Sequence, residues 1–312
     1  MISKIRKSIY AKIIVLFSAV FIIVALVVFT GSDDNNNIVQ TEEIIYDYDY
    51  FDDISIEALS VFVWDVNKQK VLFAIDEDAQ LPLASLTKLM TAITAFDILP
   101  ESSVVTIDET ALTEDGDSGL YKNEKWSFKE LIRFTLVVSS NDGASALANV
   151  AGLLKNSFPN RETDNKKSFV KAMNEMAKEI GLTQTYFINP TGLDTNDTVS
   201  GGYGSAHDVA KLLEYAVIHT PEIIDSTRYA RINFASLSDI NHTATNTNSS
   251  INAVPGLIAS KTGFTDLAGG NLVIAFDAGM NRPIIITVLG STQNGRFEDI
   301  EKLVDASLKS LD

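Results

Sequence analysis

The chain has 312 residues, 46% of them hydrophobic, no cysteine and a formal net charge of −16. The lack of cysteine excludes disulfide scaffolds, zinc or iron–sulfur sites built on cysteine, and thiol nucleophiles. The acidic balance argues against a nucleic-acid partner, because binding to phosphate depends on clustered lysine and arginine.

The first predicted element is a membrane helix close to the N-terminus. Residues 13–29 carry no charge and only one polar side chain, and the residues before them are basic without an acid. At about 1.5 Å per residue, such a run crosses most of a hydrocarbon core of about 30 Å. The basic end should stay in the cytoplasm. Residues 1–30 are therefore predicted to be a single-pass anchor with the rest of the chain outside, and a cleaved signal peptide is the alternative.

An acidic linker is predicted between this anchor and the folded body. Nine acids lie between Asp33 and Glu57, with no lysine or arginine among them. A segment of this composition is solvated rather than packed. We therefore place the linker at residues 31–56 and one folded domain at residues 57–312.

The folded body begins with strands, continues with helices and returns to strands. Alternating apolar residues predict a hairpin over residues 58–75, and a helix follows over 85–97. Its surface is apolar on most sides, so it should be buried. Ser127 and Glu130 form a capping box for the next helix. Further helices are predicted at 144–150, 169–180, 205–217 and 297–311, and strands at 256–265, 271–278 and 282–291.

This order of elements predicts an α+β fold. Strands from both ends of the domain should form one antiparallel sheet flanked by helices, and residues from about 111 to 244 should form a mainly helical insertion. No G-x-S-x-G or H-E-x-x-H motif is present, and all three histidines follow the Gly-Asp-Ser-Gly segment at 116–119. A serine nucleophile here would need a base other than histidine.

Ser85 and Lys88 offer such a pair. Residues three apart share one face of a helix, so the lysine ammonium can reach the serine hydroxyl. Burial disfavours the charged lysine and makes it a plausible base. The same S-x-x-K spacing recurs at Ser168 and Lys171, where the residues fit a helix N-cap and the polar face of an amphipathic helix.

Two further motifs complete the pattern. Ser139-Ser140-Asn141 falls where one predicted helix ends and another begins, although Ser250-Ile251-Asn252 matches the same S-x-N spacing. Lys261-Thr262-Gly263 lies on a predicted strand, where a lysine with a neighbouring hydroxyl can bind a carboxylate. Gly263 would allow a substrate backbone to lie close to the strand.

The three motifs in this order resemble those of the penicillin-recognising serine enzymes. The segments LPLASLTKLMTA, LVVSSNDGASALA, NPTGLD and SKTGFTDLAGG resemble the D-alanyl-D-alanine carboxypeptidases, which are the low-molecular-weight penicillin-binding proteins of serine peptidase family S11. The resemblance runs from about residue 58 to the C-terminus. It implies a sheet and a helical region with the active site in the cleft between them, and neither a metal nor a cofactor.

The resemblance also implies a role for each motif residue. Ser85 would be the nucleophile that forms the acyl ester, Lys88 the general base, and Ser139 the relay of a proton toward the leaving amine. The backbone N–H groups of Ser85 and Phe264 would form the oxyanion hole.

The remaining motif residues would hold the substrate. Asn141 would hydrogen-bond the peptide, and Lys261 and Thr262 would hold its terminal carboxylate beside Gly263. The implied partners are a peptidoglycan stem peptide ending in D-Ala-D-Ala and, as inhibitors, β-lactams. The implied location is the outer face of a bacterial cell membrane.

Other functions remain open at this stage. A DD-endopeptidase or transpeptidase would use the same residues on cross-linked peptide. A class A β-lactamase would need an E-x-x-x-N loop between Asn141 and Lys261, and no convincing one is present. A catalytically silent receptor for wall peptides or β-lactams is the candidate from another class. The three extra residues 258–260 ahead of Lys261 leave the register of that strand in doubt.

Overall fold

The computed structural model of the protein describes residues 50–155 and 162–311, and for 162–164 only the backbone. The predicted anchor at 13–29 and most of the predicted linker lie outside these residues. The described end of the linker is packed rather than solvated, because Phe51 is buried and stacks on Phe73. Within the described ranges, no helix combines the length and hydrophobicity that crossing a bilayer requires.

The described residues alternate between strands and helices along the chain. The strands are β1 (Ser60–Asp65), β2 (Lys70–Ile75), β3 (Leu81–Pro82), β4 (Val104–Thr106), β5 (Lys125–Ser127), β6 (Tyr186–Phe187), β7 (Gly202–Gly204), β8 (Arg231–Ala235), β9 (Asn241–Thr245), β10 (Leu257–Thr265), β11 (Gly269–Asp277) and β12 (Pro283–Ser291). The α-helices are α1 (Thr87–Ile98), α2 (Phe128–Val138), α3 (Asn141–Lys155), α4 (Glu162–Ile180), α5 (Ala206–His219), α6 (Pro221–Ile224) and α7 (Gly295–Leu311).

The main sheet joins the two ends of the domain, as the sequence predicts. Its strand order is β10-β11-β12-β1-β2, and every neighbouring pair is antiparallel. β1 pairs with β12 from Ser60 opposite Leu289 to Asp65 opposite Ile284. β10, which carries the K-T-G motif, is therefore an edge strand of the sheet.

Both faces of the sheet are covered, which explains the nearly continuous apolar sequence of its central strands. Leu272, Ile274 and Phe276 of β11 belong to the same buried cluster as residues of α7. The alternate residues Val273 and Ala275 belong to the cluster formed with the helical region. The two clusters follow the period of two that a strand imposes on its side chains.

The helical region follows the prediction with two corrections. Ser85 lies in a short 3₁₀ helix (Ala84–Leu86), and α1 begins only at Thr87. Ser168 is not a helix N-cap, because α4 already begins at Glu162; Lys171 is exposed, as expected, and pairs with Glu175. The buried run from Thr87 to Ala95 confirms that α1 is enclosed by the protein.

Short strand pairs accompany the helices. β8 pairs with β9, β4 pairs with β5, and β7 lies between β3 and β6. In the main sheet, the pairing of β10 with β11 shifts between Leu257 and Ala259 and is regular from Ala259 onward. The strand therefore has a one-residue bulge at Ile258, and the K-T-G motif pairs regularly with β11.

Candidate active site

Ser85 and Lys88 meet at the start of α1, as their spacing predicts. Lys88 Nζ donates to Ser85 Oγ at 2.8 Å, to Asn141 Oδ1 at 2.6 Å and to the backbone carbonyl oxygen of Thr191 at 2.7 Å. An ammonium has three N–H donors, so all three are used. When Lys88 loses a proton, its lone pair can accept the Ser85 hydroxyl proton while two N–H groups hold the other partners.

The environment of Lys88 makes this loss feasible near neutral pH. The side chain is fully buried, and burial lowers its pKa to about 7, against the opposing effect of the Glu114 and Asp142 carboxylates. Desolvation penalises the charged form of lysine and therefore favours the neutral amine. A neutral amine in contact with a serine hydroxyl is an effective general base.

The S-x-N motif forms the turn between α2 and α3. Ser139 ends α2 in a left-handed conformation, with φ 60° and ψ 40°, which a residue other than glycine rarely adopts. Its Oγ accepts from Lys261 Nζ at 2.9 Å. Asn141 begins α3; its Oδ1 faces Lys88, and its Nδ2 donates to the carbonyl oxygen of Asp115 at 2.5 Å.

The K-T-G motif lies on β10, on the other side of Ser139. Lys261 is almost fully buried, and its Nζ also donates to the Thr262 carbonyl oxygen at 2.8 Å. Burial lowers the pKa of Lys261 well below its usual value, and the positive charges of Lys88 and Arg296 lower it further. An incoming carboxylate would reverse this effect, because an opposite charge favours protonated lysine.

Gly263 allows β10 to pass close to the nucleophile. A Cβ at this position would lie 2.9 Å from the carbonyl oxygen of Leu83 and 3.2 Å from the backbone nitrogen of Ser85. Any larger residue would push the strand away from Ser85. The backbone of Gly263 therefore lies close to the backbone nitrogen of Ser85.

Comparison with known proteins agrees with this geometry. Residues 49–293 match the family described as D-alanyl-D-alanine carboxypeptidase, peptidase family S11. The chain belongs to this family. It is 30% identical over 263 residues to the D-alanyl-D-alanine carboxypeptidase DacF of Bacillus subtilis, a match that covers 81% of this chain and 62% of DacF. The chain thus spans less than two thirds of that relative.

Other similar proteins are about equally distant in sequence. The D-alanyl-D-alanine endopeptidase of Escherichia coli is 30% identical over 247 residues, covering 75% of this chain and 71% of that protein. A penicillin-binding protein of Listeria monocytogenes, solved in a cefotaxime-bound form, is 25% identical with a TM-score of 0.68, covering 83% of this chain and 99% of that one. A Mycobacterium tuberculosis D-alanyl-D-alanine carboxypeptidase, 24% identical with a TM-score of 0.70 over 82% of this chain and 92% of that one, shares the fold.

The competing motif copies in this S11 chain make other contacts. Lys171 is exposed on α4, and the Ser250 hydroxyl donates to Glu301 of α7 at 2.6 Å. The three histidines also have partners away from Ser85. His207 contacts Asp78, His219 packs against Tyr215, and His242 pairs with the buried Glu124.

Sequence reasoning missed several residues that contact the motifs. The carbonyl oxygens of Thr191 and Asp115 bind Lys88 and Asn141, and Thr247 Oγ1 lies 2.5 Å from Thr262 Oγ1. A backbone carbonyl has no side-chain signature. The NPTGLD segment that contains Thr191 was the available signal, but it indicated only the family.

A cavity of about 500 Å³ opens beside Thr191. Val170 and Leu193 give it apolar walls, and Asp115 and Asp194 also line it. Asp194 Oδ1 accepts from the hydroxyl of Thr265 at 3.1 Å, which links one wall of the cavity to the last residue of β10.

Proposed function

We propose that the protein is a serine D-Ala-D-Ala carboxypeptidase that removes the terminal D-alanine from peptidoglycan stem peptides through an acyl-enzyme on Ser85. The observation that carries the proposal is the contact of 2.8 Å between Ser85 Oγ and a buried lysine whose pKa lies at about 7. The names of the family and of DacF support the same activity.

In the first step, Ser85 Oγ attacks the carbonyl carbon of the penultimate D-alanine and gives its proton to Lys88 Nζ. The carbonyl π electrons move to oxygen, where the N–H groups of Ser85 and Phe264 stabilise the charge. As the oxyanion collapses, the C–N bond breaks. The proton returns from Lys88 to the leaving nitrogen through the Ser139 hydroxyl, and free D-alanine departs.

In the second step, water attacks the ester carbonyl and gives a proton to the now neutral Lys88. The ester C–O bond breaks, and Ser85 Oγ recovers the proton. Lys261 and Thr262 hold the terminal carboxylate before the first step, and Asn141 hydrogen-bonds the peptide. The residues that precede the terminal pair extend toward the cavity beside Thr191.

The test is to incubate the full chain with a peptide ending in D-Ala-D-Ala and to measure free D-alanine. We expect release by the wild type and by Ser168→Ala, which changes the second S-x-x-K copy. Ser85→Ala should release none and should not bind a labelled penicillin covalently. Labelling that survives Ser85→Ala would refute the assignment of the nucleophile.

Endopeptidase activity is the second candidate, because a relative matched over 71% of its length is named an endopeptidase. The two activities differ in the position of the scissile bond relative to the chain end. A cross-linked dimeric peptide distinguishes them: cleavage into two peptides indicates an endopeptidase, and release of D-alanine alone indicates a carboxypeptidase.

The proposal includes an N-terminal anchor that places the enzyme on the outer face of the cell membrane. It is supported by the uncharged segment 13–29 and the basic residues that precede it. We expect the full chain to sediment with membranes and to be digested when protease is added to cells from which any outer barrier has been removed. Recovery of the intact chain in the cytosolic fraction alone would contradict this location.

A further inference from the structure

Arg296 is a buried cation directly behind the K-T-G motif. It is the second residue of α7 and 7% exposed, and its Nη1 donates to the carbonyl oxygen of Gly263 at 2.6 Å. Its guanidinium lies over the ring of Phe297, 4.7 Å from the ring centroid, but among the described residues no carboxylate forms an ion pair with it and its Nε has no hydrogen-bond partner. Burial lowers its pKa to about 10, so it stays charged at neutral pH.

Such a group is costly to the fold. Removing a guanidinium from water is unfavourable unless a counter-charge compensates, and an apolar side chain of similar volume would fill the same space without this penalty. A buried charge that destabilises the fold and lies beside the active site indicates a role in that site. Its one hydrogen bond, to Gly263, indicates where the role lies.

The carbonyl of Gly263 and the N–H of Phe264 belong to one peptide group. The described residues contain no cis peptide bond, so these two dipoles point in opposite directions. The N–H of Ser260 donates to Thr227 Oγ1, away from β11. Because backbone direction alternates with a period of two along a strand, the N–H of Phe264 also points away from β11. The backbone nitrogen of Ser85 lies close by, 3.2 Å from where a Cβ of Gly263 would stand.

Arg296 and the oxyanion hole are therefore at opposite ends of the same amide. A hydrogen bond from a cation to a carbonyl oxygen is stronger than one from a neutral donor. It draws electron density toward that oxygen and strengthens the N–H on the other side, as in a chain of hydrogen bonds that polarise one another. The resulting donor is directed at the charge that develops on the scissile carbonyl oxygen.

We infer that Arg296 is a positioning residue that strengthens the oxyanion hole by polarising and fixing the Gly263–Phe264 peptide. The inference rests on the proposed acyl-enzyme on Ser85. Arg296 does not touch the substrate and exchanges no proton with it. Its effect is on acylation and deacylation, in both of which the same carbonyl oxygen becomes negative.

The test uses the full chain with a penicillin whose reactive carbonyl is isotope-labelled. The measurements are the acylation rate and the infrared frequency of the acyl-ester carbonyl in the hole. We expect Arg296→Met to acylate about 10-fold more slowly, which is less than the 10²–10³ cost of deleting a donor outright. The carbonyl band should move to higher frequency, because weaker hydrogen bonds leave the C=O bond stiffer.

A matched control separates this effect from a loss of stability. Ile300 is fully buried on the same helix and belongs to the core rather than to the site. Ile300→Val should lower the Tm, but its acylation rate and carbonyl frequency should equal those of the wild type. Arg296→Lys, which keeps the charge, should lie closer to the wild type than Arg296→Met does.

The outcomes distinguish this inference from the proposed function. A wild type that shows no ester band on Ser85 would overturn both. A wild type that acylates, with an unchanged band in folded Arg296→Met, would overturn the inference alone. If Arg296→Met does not fold, Arg296→Gln takes its place with the same criterion, since it offers only a neutral donor to Gly263.

Discussion

The chemistry of the site depends on one lysine that is neutral when it acts. Lys88 has a pKa of about 7 because it is buried, and protonation below that value removes the base. The second-order rate constant of penicillin acylation should therefore fall about 10-fold per pH unit below about pH 7.

The measurement is the acylation rate between about pH 5 and pH 8, with circular dichroism as a control for folding. The expected decrease at the acidic end is about 100-fold, since two pH units below the pKa leave about one lysine in a hundred neutral. An acylation rate that is constant over this range would show that Lys88 is not the base.

Lys261 should distinguish a free carboxyl end from a peptide in general. A charge-assisted contact with a carboxylate contributes about 1.5–3 kcal/mol. Lys261→Met should therefore lower turnover of D-Ala-D-Ala peptides by about 10–150-fold. Conversion of the substrate carboxylate to an amide should lower turnover by the wild type by a similar factor.

The decisive comparison combines the two changes. If Lys261 and the carboxylate form one pair, the amide substrate should lose little further activity with Lys261→Met. Independent and additive losses would show that another group holds the carboxylate. The kinetic constants of both enzymes on both substrates complete this double-mutant cycle.

For individual residues, the sequence predicted contacts within one turn of a helix better than contacts between distant parts of the chain. The contact between Ser85 and Lys88 follows from a spacing of three residues. The contact between Lys88 and Thr191 joins groups 103 positions apart, and its acceptor is a backbone oxygen. The sequence around Arg296 does not distinguish it from an arginine on the surface. Only the fold shows that its side chain is buried beside β10.

At the scale of elements, a glycine allows the loop that carries Thr191 to pass close to the nucleophile. Gly192 has φ +79°, and a Cβ there would overlap the carbonyl oxygen of Ala84, next to Ser85. Gly192→Ala should displace the Thr191 carbonyl from Lys88. We expect about a 100-fold loss in acylation, since a misplacement of about 1 Å has this effect, and about 2 kcal/mol or more of destabilisation.

Gly181 provides the matched control. It has φ +83°, but a Cβ there would meet nothing within 4 Å. Gly181→Ala should therefore lower the free energy of unfolding through backbone strain alone and leave acylation unchanged. Equal acylation rates for the two variants would show that the fit of Gly192 against Ala84 does not matter for catalysis.

The long elements were predictable because burial gives them a clear period. The strands of the main sheet and helices α1 and α7 match their predicted ranges to within a few residues. The β8–β9 pair was not predicted. β9 has the sequence Asn-His-Thr-Ala-Thr, and its short, mostly polar residues resemble a loop until His242 and Ala244 are seen to be buried.

For the whole molecule, the buried Lys88 makes stability depend on pH. Its pKa is about 7 in the folded protein and near 10.5 when exposed, so the unfolded chain binds the proton more tightly between these values. The free energy of unfolding should therefore rise with pH over this interval by about 1.4 kcal/mol per unit from this group.

Comparison with Lys88→Met isolates this contribution from other titrating groups. We expect the variant to be more stable than the wild type near pH 7, and this advantage to shrink by about 2 kcal/mol between about pH 7.5 and pH 9. Urea unfolding at both pH values gives the two differences. An advantage that does not change with pH would contradict a depressed pKa of Lys88.

The position of β10 at the edge of the sheet also bears on solubility. An exposed strand edge can pair with a strand of another molecule and start aggregation. Here Ser260 is hydrogen-bonded through its N–H and hydroxyl to Thr227 of the 3₁₀ helix Asp225–Arg228. Near the other end, Gly263 lies against the helix Ala84–Leu86. A strand from a second copy cannot align along an edge blocked in this way, whereas a short peptide end can enter between the two obstacles.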